Sequence, residues 1–362
     1  MTIRRISATL IPLVCFGVLA ASLAGCGGKV QSTGPGAPAP RTYRMGFSPI
    51  GPRPDLGTII AAIQMWSTRA DAAIIHSEPP WDSLLAGVPA ETLVTRERVA
   101  LVQYFRALGH DIVLMVDATN GINRSGESQP LVDAGRSLTE PAVQMLYRRY
   151  CTVLDSLLRP DYLGLAAETN LIRLAAPPAL YAAVAQVAND AAADIRAIDP
   201  AVKLFISVQV ETAWGRLPPT GIYEGAAQDV ADFPFMNAMG LSSYPYFAFS
   251  DPDSVPLDYY SRLRQGNGLP VLVVEGGWNS RTIDAFASTP EEQARYIARH
   301  ARLLDQAQAV GVFQLTFTDL DTLALPPGTI LPLFSFNGLV DENLVPKPSL
   351  AEWDAVFSRP GP

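Results

Sequence analysis

The chain has 362 residues, 48% of them hydrophobic, and a formal net charge of −8 from 27 Lys+Arg against 35 Asp+Glu. That suits one large domain, or two ordinary ones, with a sizeable core. No basic patch stands out, which argues against nucleic acid as a partner.

The N-terminus reads as a targeting segment rather than as part of the fold. Arg4 and Arg5 precede a mostly apolar stretch, Ile6 to Leu23, and Leu23-Ala24-Gly25-Cys26 follows. This segment resembles a bacterial lipobox, in which small residues precede a Cys that receives lipid and becomes the new N-terminus. The resemblance implies a lipoprotein signal peptide over 1–25, lipidation at Cys26 and an extracytoplasmic protein anchored to a bacterial membrane. Residues 26–42 include a Gly/Pro/Ser/Ala-rich run and read as a flexible tether. Cys15 would leave with the signal, so Cys151 is the one thiol left to the domain, and no internal disulfide is expected. Cys151 lies in a helical pattern and reads as a buried structural thiol. A fold without disulfides needs a large core, which favours a single domain over 43–362.

From Tyr43 the chain alternates. Strands are expected over 44–48, 72–76, 111–116, 162–167, 202–210, 237–243, 271–274 and 311–316. Between and after them, helices are expected over 55–69, 91–108, 141–158, 178–198 and 257–264, then from a Thr289-Pro290-Glu291-Glu292 start, and finally over 349–357. Eight strands alternating with helices argue for a parallel sheet. Polar and aromatic residues gather after each strand, which favours a closed (β/α)8 TIM barrel. No Gly-rich dinucleotide fingerprint follows the first strand.

A closed barrel would gather the residues at its strand ends around one mouth. These are His76, Trp81, Asp117, Asn120, Glu168, Asn170, Glu211, Tyr244, Tyr246, Glu275, Trp278, Phe317 and Asp319. Glu275 closes the apolar run Val271–Val274, and Glu168 closes Tyr162–Ala167 in the same way. Carboxylates among aromatic rings suit a carbohydrate, whose C–H faces stack on rings and whose hydroxyls need polar partners. Two carboxylates facing one glycosidic bond can supply an acid and a nucleophile, ~5–5.5 Å apart in retaining enzymes. Other readings stand beside these. Glu211 could cap the following helix or pair with Arg216, His76 could be a packing histidine, and Asp117 and Asn120 could stabilise loop turns. Trp278, after two glycines, is expected to be an exposed platform. With His 3 and no clustered ligand spacing, no metal is expected, and no cofactor either.

The motifs resemble the large glycoside hydrolase superfamily called clan A. GLAAETN (164–170) resembles the strand-four motif of the endo-β-1,4-galactanase family and its relatives. MGLSSYPYF (239–247) resembles the strand-six motif, VVEGGW (273–278) the strand-seven motif, and GLVDENLVPKP (338–348) the tail. The resemblance implies Glu168 as general acid/base, Glu275 as nucleophile, and Tyr244 hydrogen-bonded to Glu275. Three positions depart from the pattern. Ala167 stands where Asn usually precedes the acid, a strand-two Arg is replaced by His76, and the strand-eight Trp is missing. Three functions follow as candidates: a monomeric retaining β-glycosidase, a catalytically silent glycan-binding lipoprotein, and a solute-binding lipoprotein, which would need two lobes.

Overall fold

The computed structural model describes residues 39–218 and 220–362. The expected signal peptide, Cys26 and most of the tether lie outside the described residues. Eight strands form one closed barrel in sequence order. They are β1 (Arg44–Phe47), β2 (Ala72–Ser77), β3 (Asp111–Val116), β4 (Tyr162–Gly164), β5 (Lys203–Gln209), β6 (Ala238–Ser243), β7 (Val271–Gly276) and β8 (Gly311–Gln314). Every neighbouring pair is parallel, and β1 closes on β8 with Arg44 opposite Gly311 and Phe47 opposite Gln314. The expected TIM barrel is therefore the observed fold.

The strands read as unbroken apolar runs because both of their faces are buried. In β2, Ala72 and Ile74 face the barrel interior, while Ala73 and Ile75 join the layer beneath the helices. Phe205, Met115 and Phe313 fill the interior. Gly164 makes room for two of them: a Cβ there would lie 2.2 Å from the Met115 sulfur and 2.6 Å from the Phe205 ring.

Local signals set the helix ends. Asp55 accepts from the Thr58 amide at 2.9 Å and Thr289 from the Glu292 amide at 3.2 Å, each satisfying a free N–H of a first turn. Helices Pro141–Leu158 and Pro178–Ile198 match their expected bounds, and Cys151 is buried in the first of them. The stretch expected as one helix over 91–108 is interrupted by a π-turn at Thr95–Val99. The helix expected at 257–264 is reduced to a 3-10 turn, Ser261–Arg264. Strand β4 is shorter than expected. Leu165–Ala167 continue the ladder only through isolated bonds, such as Leu165 N to Phe205 O and Ser207 N to Ala166 O.

Candidate active site

Two backbone irregularities aim the strand-end carboxylates. Glu168 follows β4 in a left-handed conformation, φ 48° and ψ 48°. For a residue with a Cβ this conformation costs on the order of 1–3 kcal/mol, and it persists where the surroundings over-determine it. Here the Glu168 amide donates to Ser207 Oγ at 2.9 Å. Asn170 ties the next turn to β5, donating to Gln209 O at 2.9 Å and accepting from Gln209 N at 2.8 Å.

The second irregularity is a bulge between β6 and β7. Val273 faces Leu241, but Glu275 faces Ser242, so Val274 is passed over. A bulge re-aims a side chain. Here it brings Glu275 under the Ser242 hydroxyl, which donates to Oε1 at 2.8 Å. Gly276 permits the close approach, since a Cβ there would lie 2.3 Å from the Ser243 carbonyl oxygen.

Arg124, from the loop after β3, links the acids. Its Nε donates to Glu168 Oε2 at 2.8 Å and its Nη1 to Asp117 Oδ2. His76 Nε2 stands 3.6 Å from Glu275 Oε2, and its Nδ1 is 3.2 Å from Ser48 Oγ. Burial lowers the His76 pKa to about 4, which disfavours the charged form of the ring. Burial pushes the Glu168 carboxyl upward; Arg124 opposes that rise and the charge of Glu275 adds to it. Burial also raises Glu275, against the nearby Arg124 and the Ser242 hydroxyl. Two such groups titrate as a pair, one retaining a proton after the other has lost its own.

Both carboxylates line a cleft of 860 Å³ at the barrel mouth. A smaller cavity of 260 Å³ shares Arg124 and Glu275 with it, and is lined also by His76, Glu78, Asp117 and Ala167. The small cavity is lined mostly by polar and charged side chains, whereas the large one, despite Arg53, Arg124, Glu168 and Glu275, is walled mainly by Ile, Leu, Pro and Phe.

Of the expected mouth residues, the structure brings together His76, Asp117, Glu168, Tyr244 and Glu275. The others fall elsewhere. Trp81 is fully buried and stacks near Tyr147 at 6.3 Å between ring centres. Trp278 is also fully buried, its indole donating to Ser288 Oγ at 2.9 Å, so it is no exposed platform. Phe317 packs edge-on against Phe47 in the core. Tyr246 donates to the Leu333 carbonyl at 3.0 Å within an aromatic cluster. Asn120 accepts from the amides of Ile122 and Asn123 and shapes the β3 loop. Asn170, described above, spends its amide on β5. Asp319 pairs with Lys347 at 2.5 Å, which explains the tail motif as a clamp.

Glu211 has neither of its expected partners. It is fully buried, accepting from Tyr244 N at 3.1 Å, Tyr259 Oη at 2.9 Å, Ser243 Oγ at 3.3 Å and the Gln209 side chain. Burial nevertheless raises it to about 7. The donor to Glu275 is Ser242, not Tyr244 as expected. Arg124, Ser242 and Glu78 were not singled out from the sequence. For Arg124 a signal existed, since it is the sole basic residue between Asp117 and Asp133.

No protein-family model and no curated protein sequence matches the chain. Solved structures do. One is the exo-beta-1,4-mannosidase Op5Man5 from Opitutaceae bacterium strain TAV5, at TM-score 0.66 and 16% identity, over 87% of this chain and 59% of that one. The chain thus spans somewhat less than two thirds of that mannosidase's length. Another is GH5_18 from Bifidobacterium longum, at TM-score 0.61 and 16% identity, over 87% and 78%. The Ignisphaera aggregans GH53 catalytic domain matches at TM-score 0.59 and 14% identity, over 90% and 98%. At these identities the likeness establishes the fold: this chain is a (β/α)8 barrel built like those of glycoside hydrolases.

Proposed function

We propose that the protein is a retaining β-glycoside hydrolase, with Glu275 as nucleophile and Glu168 as general acid/base. The observation that carries this reading is that two strand-end carboxylates, each aimed by an irregular backbone, project from β4 and β7 into one cleft. In the first step a Glu275 oxygen bonds to the anomeric carbon while the glycosidic C–O bond breaks, and the Glu168 proton goes to the departing oxygen. In the second step Glu168, now a carboxylate, takes a proton from water, and the water oxygen displaces Glu275. Asp117 keeps the Arg124 guanidinium in place, and substrate drying the cleft pushes Glu168 further towards its protonated form. The likeness to glycosidase barrels agrees with this reading. The test is hydrolysis of a panel of β-linked aryl glycosides and polysaccharides, with product anomers followed by NMR. Retained β-configuration at first release supports the reading; no turnover on any member, or inversion, contradicts it.

Two observations favour the silent glycan-binding barrel. The buried Arg124–Glu168 pair stabilises an ionised Glu168, the wrong form for an acid, and Ala167 offers no amide to a sugar hydroxyl. On that reading the same panel binds but is never cleaved.

The LAGC segment supports a lipid-anchored, extracytoplasmic protein. Changing Cys26→Ser should move it from the membrane to the soluble fraction, and mass spectrometry of wild type should find lipid on Cys26. An unmodified, soluble wild type would contradict the anchoring.

A further inference from the structure

The cleft has two unlike ends. The small cavity is lined by His76, Ser77, Glu78, Asp117, Ser207 and Glu275. Ser77, Asp117 and Ser207 already bond Tyr150, Arg124 and the Glu168 amide, which leaves His76 Nε2 and one oxygen each of Glu78 and Glu275 to meet sugar hydroxyls. The large one carries Ile50, Ile122, Leu171, Leu325, Ile330 and Leu331. Its polar groups are mostly committed: Arg53 pairs with Asp321 at 2.9 Å, and both ends of the Gln209 amide serve Glu211 and Thr212. A polysaccharide laid there would leave hydroxyls unpaired, at roughly 1–3 kcal/mol for each one buried. The indole rings that could have stacked on sugars, Trp81 and Trp278, lie in the core. Meanwhile Ile50, Ile122 and Ile330 hold apolar surface open to solvent at 38%, 40% and 47% exposure. Contiguous apolar surface of that kind marks a binding site, and this one runs straight into the carboxylates.

We infer that the substrate is an amphipathic glycoside, with its sugar in the small polar cavity and an apolar aglycone, a lipid-like chain, along the Ile/Leu/Pro wall. Resting on the glycosidase reading, it places the scissile oxygen where the two cavities meet, at Glu275 and Arg124. The size of the cleft, 860 Å³, lies in the range of pockets that enclose a small organic ligand. The leaving group is then an alcohol with a long apolar chain, and burial of that chain supplies binding that a methyl aglycone cannot.

The experiment uses the full chain carrying Cys26→Ser, so that no lipid is attached to that residue, with Glu275→Gln added for binding. Probes are octyl and methyl β-D-glucosides, -galactosides and -mannosides below micelle concentrations, measured by calorimetry. For at least one sugar, the octyl glycoside should bind about tenfold tighter or more than the methyl one. Ile122→Ser and Ile330→Ser, changes at exposed positions on different loops, should each shrink that ratio to about threefold or less, with melting temperature as the check on folding. Equal affinity of octyl and methyl probes for every sugar overturns the inference. So does octanol, or a phosphatidylcholine vesicle, binding as well as any octyl glycoside, since the sugar would then play no part. If octyl glycosides bind selectively but Glu275-intact protein cleaves none, the inference on ligand class stands and the glycosidase reading falls. If oligosaccharides are cleaved with no preference for octyl glycosides, the reverse holds.

Discussion

Glu168 and Glu275 close strands of one barrel and face one cleft, yet their surroundings differ. Glu168 is ion-paired to Arg124, itself held by Asp117. Glu275 is hydrogen-bonded to a neutral hydroxyl, Ser242, stands beside His76, and feels the Arg124 charge without a hydrogen bond to it. A retaining mechanism needs the first protonated and the second ionised. Burial and like charge push Glu168 in the required direction, while Arg124 pulls it back. The two acids thus share a position at strand ends but not a set of partners, and Arg124 is the partner that sets them furthest apart.

The comparison is tested hardest by removing each acid. Glu275→Gln should cut kcat by ~1000-fold or more on every substrate, because an amide cannot form the bond to the anomeric carbon that the first step requires. Glu168→Gln should cost ~100- to 10,000-fold on substrates with poor leaving groups, but far less in first-step rates on aryl glycosides that leave without protonation. Equal losses on both substrate types would assign Glu168 a structural part. Pre-steady-state rates make that distinction.

Arg124→Met should sharpen the contrast. Glu168 must be protonated, so activity falls as pH rises through its pKa. Arg124 lowers that pKa, so its removal should move the alkaline limb of kcat/KM upward, by ~1 unit or more. A limb that stays put would show that Arg124 does not govern Glu168. On the other side, Ser242→Ala removes a hydrogen bond that favours ionised Glu275. The acid limb should then rise, and the rate at neutral pH should fall ~10-fold.

The smallest effect concerns Glu211, a third strand-end acid that faces no cleft. Its folded pKa is raised to about 7, so its contribution to stability is fully present below about 4.5 and is lost as pH rises through about 7. Wild type should lose about 3 kcal/mol across that window relative to Glu211→Gln. Urea melts at pH 4.5 and 8 measure it; parallel curves would show that Glu211 does not titrate there.

These three acids also mark what the sequence could disclose. The barrel was legible because apolar runs alternated with helical periodicity and capping residues punctuated them, as at Thr289. Glu168 and Glu275 were legible because each ended such a run. Nothing local separated Glu211 from them, since its burial depends on Tyr259 and Ser243 arriving from elsewhere in the chain. The tryptophans failed for a related reason: Trp278 follows glycines, but Ser288 and Tyr296 fold over it. Ser242 became a partner of Glu275 only through the β6–β7 bulge, a register feature that side-chain pattern does not encode.

The most direct measurement is covalent trapping. Wild type would be treated with a 2-deoxy-2-fluoro β-glycoside bearing an activated aryl leaving group, digested, and mapped by mass spectrometry. The account predicts one added fluorosugar on the peptide carrying Glu275, and none in Glu275→Gln. An adduct on another residue, or turnover of the matching substrate with no adduct on Glu275, would contradict it.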